Sequence, residues 1–171
     1  MSAPYPRWLA PGALVLGGVL GMAGSFAPSA ALRGLCWGID GTALIVAAAL
    51  LAFQHLRLGH ERVAAGFLVF LAGETLVISG SAMDLAASGP VFGAGCGLWA
   101  AALALISMPG VVPAWVRITA RVAALLFAAV AVQVYAGQPL TPLSQPLPFF
   151  AYPFLVATLF GWAWADYRNV A

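Results

Sequence analysis

The chain has 171 residues, of which 63% are hydrophobic and only 7% charged, with a mean hydropathy of +0.99. Soluble domains are about 45–50% apolar and about 25% charged, so this composition excludes a soluble enzyme, a disordered chain and a nucleic-acid binder. The formal net charge is +2, all seven basic residues are arginines, and the lack of lysine removes Schiff-base chemistry.

A hydrocarbon core about 30 Å thick takes roughly 20 helical residues to cross. Six runs fit that length, at about 10–27, 36–54, 63–81, 90–108, 118–136 and 148–165. They are too long for the strands of a β-barrel, so the expected fold is all-α, a single six-span transmembrane bundle over 1–171. Proline, glycine or charge marks each break: Pro28, Arg57 to Arg62, Gly89-Pro90, Pro109 to Pro113, and Gly137 to Pro148.

The first run has small residues at Ala13, Gly17, Gly21 and Gly24, a face on which another helix can pack closely. Arg7 with Ser25-Phe26-Ala27 also resembles a signal peptide, but the run is read here as a retained span. The second run follows Arg33 and carries Cys36, Asp40 and Thr42. His55 and His60 flank the turn to the third run, which carries Glu74, Thr75 and Ser79, and Asp84 follows it. The fourth run carries Cys96, a mid-span Trp99, and a second small-residue face at Gly93, Gly97, Ala101 and Ala104. Gln133 and Tyr135 end the fifth run, and Tyr152 begins the sixth.

Arginine placement predicts orientation. With the N-terminus inside, Arg7, Arg57, Arg62, Arg117, Arg121 and Arg168 are cytoplasmic and only Arg33 is outside, a positive-inside pattern. Both termini are then cytoplasmic, and the expected location is the inner membrane of a bacterial-type cell. Arg117 and Arg121 are accounted for by that orientation and by lipid headgroups.

Ionisable groups within a bilayer are costly and are functional candidates by default. Glu74 lies twelve residues past Arg62, roughly 18 Å from the inner face at 1.5 Å per residue. Asp40 lies fifteen residues before His55, roughly 22 Å from that face. The expected site is therefore an outward-facing acidic pocket between helices 2, 3, 5 and 6, formed by Glu74, Asp40, Gln133, Tyr152, Arg33 and Asp84. The bland alternative is that these groups only lock the bundle together.

No motif indicates a cofactor. His55 and His60 are weak candidates for metal ligation, since haem needs histidines on facing helices. Cys36 and Cys96 can form one disulfide or stay free as small hydrophobes. No complete catalytic set is visible, which favours a non-enzyme and leaves the enzyme reading open. The leading expectation is binding or transport of a small solute, ion or proton. Two alternatives stand beside it: an accessory subunit of a larger respiratory or photosynthetic membrane complex, and a membrane enzyme acting on a lipid or quinone. The expected surroundings are the lipid bilayer and, through the small-residue faces of helices 1 and 4, another membrane protein or a second copy.

Overall fold

The computed structural model describes residues 6–81, 85 and 87–169. Six α-helices follow one another: α1 (Leu9–Ser25), α2 (Ala30–Arg57), α3 (Glu61–Ser81), α4 (Gly89–Ser107), α5 (Ala114–Tyr135) and α6 (Tyr152–Asn169), the last entered through a short 3-10 turn, Phe149–Ala151. There are no strands among the described residues. Helices α2 to α5 are each long and apolar enough to cross a membrane, and α1 is a shorter apolar helix. The protein is thus an all-α, polytopic membrane bundle. α6 matches a span in length, but its last turn carries Asp166, Arg168 and Asn169, which lower its hydropathy.

The sequence places the second helix from residue 36, whereas α2 begins at Ala30. Pro28 breaks the chain, and the Ser29 hydroxyl then accepts from the Leu32 N–H at 3.2 Å, satisfying a donor that a helix start leaves unpaired. The 28-residue helix is about 42 Å long, longer than the hydrocarbon core, and brings Arg33 into its first turns.

Each helix packs on its neighbours in the chain, and α6 closes back onto α1, so the bundle is a ring. Glycines set the spacing at three seams. A Cβ on Gly17 or Gly24 would stand 2.5 Å from Leu44 or 2.4 Å from Trp37, both on α2. Gly73 of α3 and Gly95 of α4 lie against each other's backbones, each ideal Cβ position 3.1 Å from the other's carbonyl oxygen. Gly93 of α4 accommodates Val134 of α5, and Gly97 sits near Ala131. Gly17, Gly21 and Gly24 of α1 and Gly93 of α4 are therefore covered by helices of the same chain, while Ala101 of α4 is exposed. On α2, Gly34 and Gly38 have nothing within 4 Å of their Cβ positions.

An aromatic chain fills the centre of the ring. Phe67 meets Trp162 edge to face at 5.0 Å, Trp162 meets Phe70 at 5.9 Å, and Phe70 stacks on Trp99 at 6.2 Å. Trp99 meets Phe127 at 5.1 Å, and Phe127 meets Tyr152 at 5.8 Å. These contacts join α3, α4, α5 and α6 across the bundle, with offset or edge-on geometries that aromatic pairs favour.

The ring carries its arginines mainly at the end with the α2–α3 and α4–α5 turns. There the Arg117 Nε donates to the Ser107 carbonyl at 3.0 Å, and Arg121 Nη2 donates to the same oxygen at 3.2 Å. Both guanidinium groups thus cap the C-terminus of α4, whose last carbonyls lack helical partners and carry partial negative charge. This is a structural role for both residues, within the chain, beside the one read from the sequence.

Gly95→Val should lower the melting temperature measurably in detergent, because overpacking a tight seam costs about 1–3 kcal/mol. Gly34→Ala should be neutral or slightly stabilising, since its site is open and alanine favours a helix by about 1 kcal/mol. Thermal melts followed by circular dichroism distinguish the two.

Candidate functional site

The seam between α1 and α2 creates the site. Gly17 and Gly21 lie one turn apart on α1, and the Asp40 carboxylate fills the space their side chains would have taken: Oδ2 is 2.7 Å from the Cβ position of Gly21. On the other side, Gly41 makes room for Ile78 and for Glu74, whose Oε1 is 3.1 Å from the Gly41 Cβ position. Two acidic side chains from adjacent helices are thus admitted into the ring by glycines. Glu74 is 2% exposed.

Both carboxyl groups line one cavity of about 60 Å³. A water molecule's share of liquid volume is about 30 Å³, so the space accommodates on the order of two waters. Sites for drug-sized ligands run to about 300–1,000 Å³. Its walls come from α1, α2, α3, α4 and α6, with Trp37, Trp99 and Tyr152 contributing aromatic surface. The end nearest the α1–α2 turn is bounded by Ser25 and by Pro142 of the long α5–α6 connection. No arginine or histidine is among the described residues that line it.

Three polar atoms of this cavity are buried without a hydrogen-bond partner: Asp40 Oδ1, Glu74 Oε2 and Trp99 Nε1. The Trp99 indole N–H faces the Glu74 carboxyl without reaching hydrogen-bond geometry. Buried polar groups are rarely left unpaired, and each one in a native fold calls for an explanation. The neighbouring hydroxyls and the other indole are engaged. Tyr152 donates to the Pro142 carbonyl at 3.1 Å, Ser25 to the Gly21 carbonyl at 3.3 Å, and Trp37 Nε1 to that same carbonyl at 3.2 Å.

Of the residues expected to share a site, the ring brings together Glu74, Asp40 and Tyr152. Gln133 and Arg33 do not line the cavity. α5 turns Phe127 and Val130 inward, both 0% exposed, and Gln133 stands to one side of that face. Arg33 shares α2 with Asp40, but its guanidinium lies over the Trp37 ring at 5.8 Å, a cation–π placement. Asp84 lies outside the described residues. The expected wall of helices 2, 3, 5 and 6 is corrected accordingly: α1 and α4 take part and α5 does not. Thr42, Thr75 and Ser79 also stand apart, since each is exposed and donates to the carbonyl one turn back on its own helix.

Trp99 is not among the residues expected to share the site, although its mid-span position, far from either membrane interface, is a signal that points to it. The walls of α1 were missed because they are bare backbone at Gly17 and Gly21.

A second polar cluster lies at the opposite end. Gln54 Nε2 donates to Asp166 Oδ1, tying α2 to α6. His55 and His60 approach Nδ1 to Nδ1 at 3.3 Å, and His55 stacks on Phe67 at 5.6 Å. In that pair one ring donates and the other accepts. The described residues contain no group of three histidine, cysteine or acidic side chains able to hold a metal ion. Cys36 and Cys96 are free.

Comparison with protein-family models, curated proteins and solved structures found no match to this chain.

Tyr152→Phe should cost about 1 kcal/mol, the net worth of a hydrogen bond, and should free the α5–α6 connection from the cavity rim. Amide hydrogen exchange across residues 137–148 should quicken in the variant while α3 and α4 keep their protection.

Proposed function

We propose that the protein is a small membrane protein that binds a proton or a small cation at the Asp40–Glu74 pair. The observation that carries this reading is a cavity within the ring lined by two carboxyl groups, each with one buried oxygen that lacks a partner. Burying an uncompensated charge is costly, and burying two in one small space is costlier because like charges repel. A bound proton or cation lowers that cost, so occupancy and folding are linked. The cavity's size favours an ion or proton over a larger solute, which refines the expectation drawn from sequence.

Orientation belongs to the same proposal. Arg57, Arg62, Arg117, Arg121 and Arg168 are at the end of the bundle where α1 begins and α6 ends, and Arg33 is at the other. By the positive-inside rule the termini face the cytoplasm of a bacterial-type inner membrane, and the acidic cavity is on the outward side. Transport follows from binding only if the site is exchanged between the two sides, and the aromatic chain below the cavity is the barrier such exchange has to pass.

An accessory-subunit role is the second reading. It draws on the outward groove between α1 and α2, where Gly34 and Gly38 leave room for an apolar partner.

The test is a thermal-stability series in detergent across pH and salt, with Glu74→Gln and Asp40→Asn beside the wild type. A ligand that binds the native state raises apparent stability as its concentration rises. The wild type should gain stability with proton or cation concentration, and both variants should lose most of that dependence. Identical responses in all three proteins would move the subunit reading to first place.

A further inference from the structure

The three unpartnered atoms differ in kind, and this difference selects among ligands. Asp40 Oδ1 and Glu74 Oε2 accept hydrogen bonds, whereas Trp99 Nε1 only donates. We propose that the species held at the pair is a proton, with a water molecule bridging Asp40, Glu74 and the Trp99 indole N–H, and not a metal cation. This rests on the carboxyl pair being the binding site.

Water is complementary to that set. It donates twice, once to each carboxyl oxygen, and accepts from the indole, and the cavity of about 60 Å³ has room for it. A metal ion matches only two of the three groups. It leaves the indole N–H pointing its positive end at a cation, and Trp99 is held between Phe70 and Phe127 at 6.2 and 5.1 Å, so the ring is not free to turn away. Hard divalent cations take about six or more oxygens, and the α1 wall at Gly17 and Gly21 contributes none from side chains.

The titratable groups that face Glu74 are Asp40 from α2, Cys96 from α4 and Tyr152 from α6, and none of them is a cation. Uptake is a simple exchange. A hydronium ion at the loop end of the cavity gives its proton to one carboxylate, leaving water and a pair with a single negative charge. Release reverses the step.

The full chain in lipid nanodiscs tests this in two ways. Infrared spectra across pH read the protonated-carboxyl band, and melts in sodium, potassium, magnesium and calcium chloride, matched in ionic strength with choline chloride, read metal binding. A titrating carboxyl band should be present in wild type and altered in Glu74→Gln and Asp40→Asn. Trp99→Phe, which removes the indole donor, should move the band's midpoint by about one pH unit, a tenfold change in proton affinity. If Trp99→Phe does not fold, the Asp40→Asn midpoint carries the same comparison. The metal salts should stabilise no better than choline. Stabilisation by one metal ion that Glu74→Gln abolishes would overturn the proton assignment while keeping the carboxyl pair as a cation site. A wild type and Glu74→Gln that agree in both spectra and melts would remove the site itself.

Discussion

The close approach of α1 to α2 is the contact on which the site depends. Gly17, Gly21 and Gly24 present backbone where other residues would present side chains, and α2 fills the space with Leu44, Asp40 and Trp37. Helices in a membrane gain little from the hydrophobic effect and rely on close packing and on hydrogen bonds between them. Here packing and polarity occur at one place. The same glycine stripe that lets the helices touch also admits a carboxyl group, and the Gly21 carbonyl it exposes accepts from the Trp37 indole and from Ser25.

The rest of the ring distributes its polar groups by a consistent physical rule. Hydroxyls that face outward are satisfied by their own helix, as at Thr42, Thr75 and Ser79. The buried Thr158 hydroxyl donates to the Phe154 carbonyl of its own helix at 2.7 Å and lies 3.1 Å from the Thr119 hydroxyl of α5. Arginines at the terminus end cap α4. Against that economy, the unpaired atoms of Asp40, Glu74 and Trp99 stand out, because a fold built mainly for stability would have paired or replaced them. Trp162 Nε1 is the one other buried side-chain atom in this condition among the described residues, and it lies in the aromatic chain between the cavity and the Gln54–Asp166 bond.

The two polar regions are set apart by that chain. On α2, Asp40 and Gln54 are separated by fourteen residues, and on α6, Tyr152 and Asp166 are separated by the same number, about 21 Å along each axis. Phe67, Phe70 and Trp162 occupy the interval. The arrangement is an acidic chamber near one end, an aromatic middle and a polar clasp at the other end.

Composition alone determined that the chain is a membrane protein, because a chain with 7% charged residues cannot cover a water-facing surface. The run lengths and their Pro, Gly and Arg breaks then determined six helices, although the ends of α2, the start of α5 and both ends of α6 lie three to six residues from the expected limits. The depth of Asp40 and Glu74 followed from counting residues along a regular helix, since 1.5 Å per residue needs no knowledge of neighbours. What counting along the chain leaves open is which way each side chain points once the helices close into a ring. That decided against Gln133 and Arg33 as cavity walls, put bare backbone of α1 opposite Asp40, and turned Trp99 toward Glu74. It also left Gly34 and Gly38 of α2 uncovered. These outcomes depend on rotation of one helix against another, which is set by packing over the whole bundle and not by any local pattern of residues.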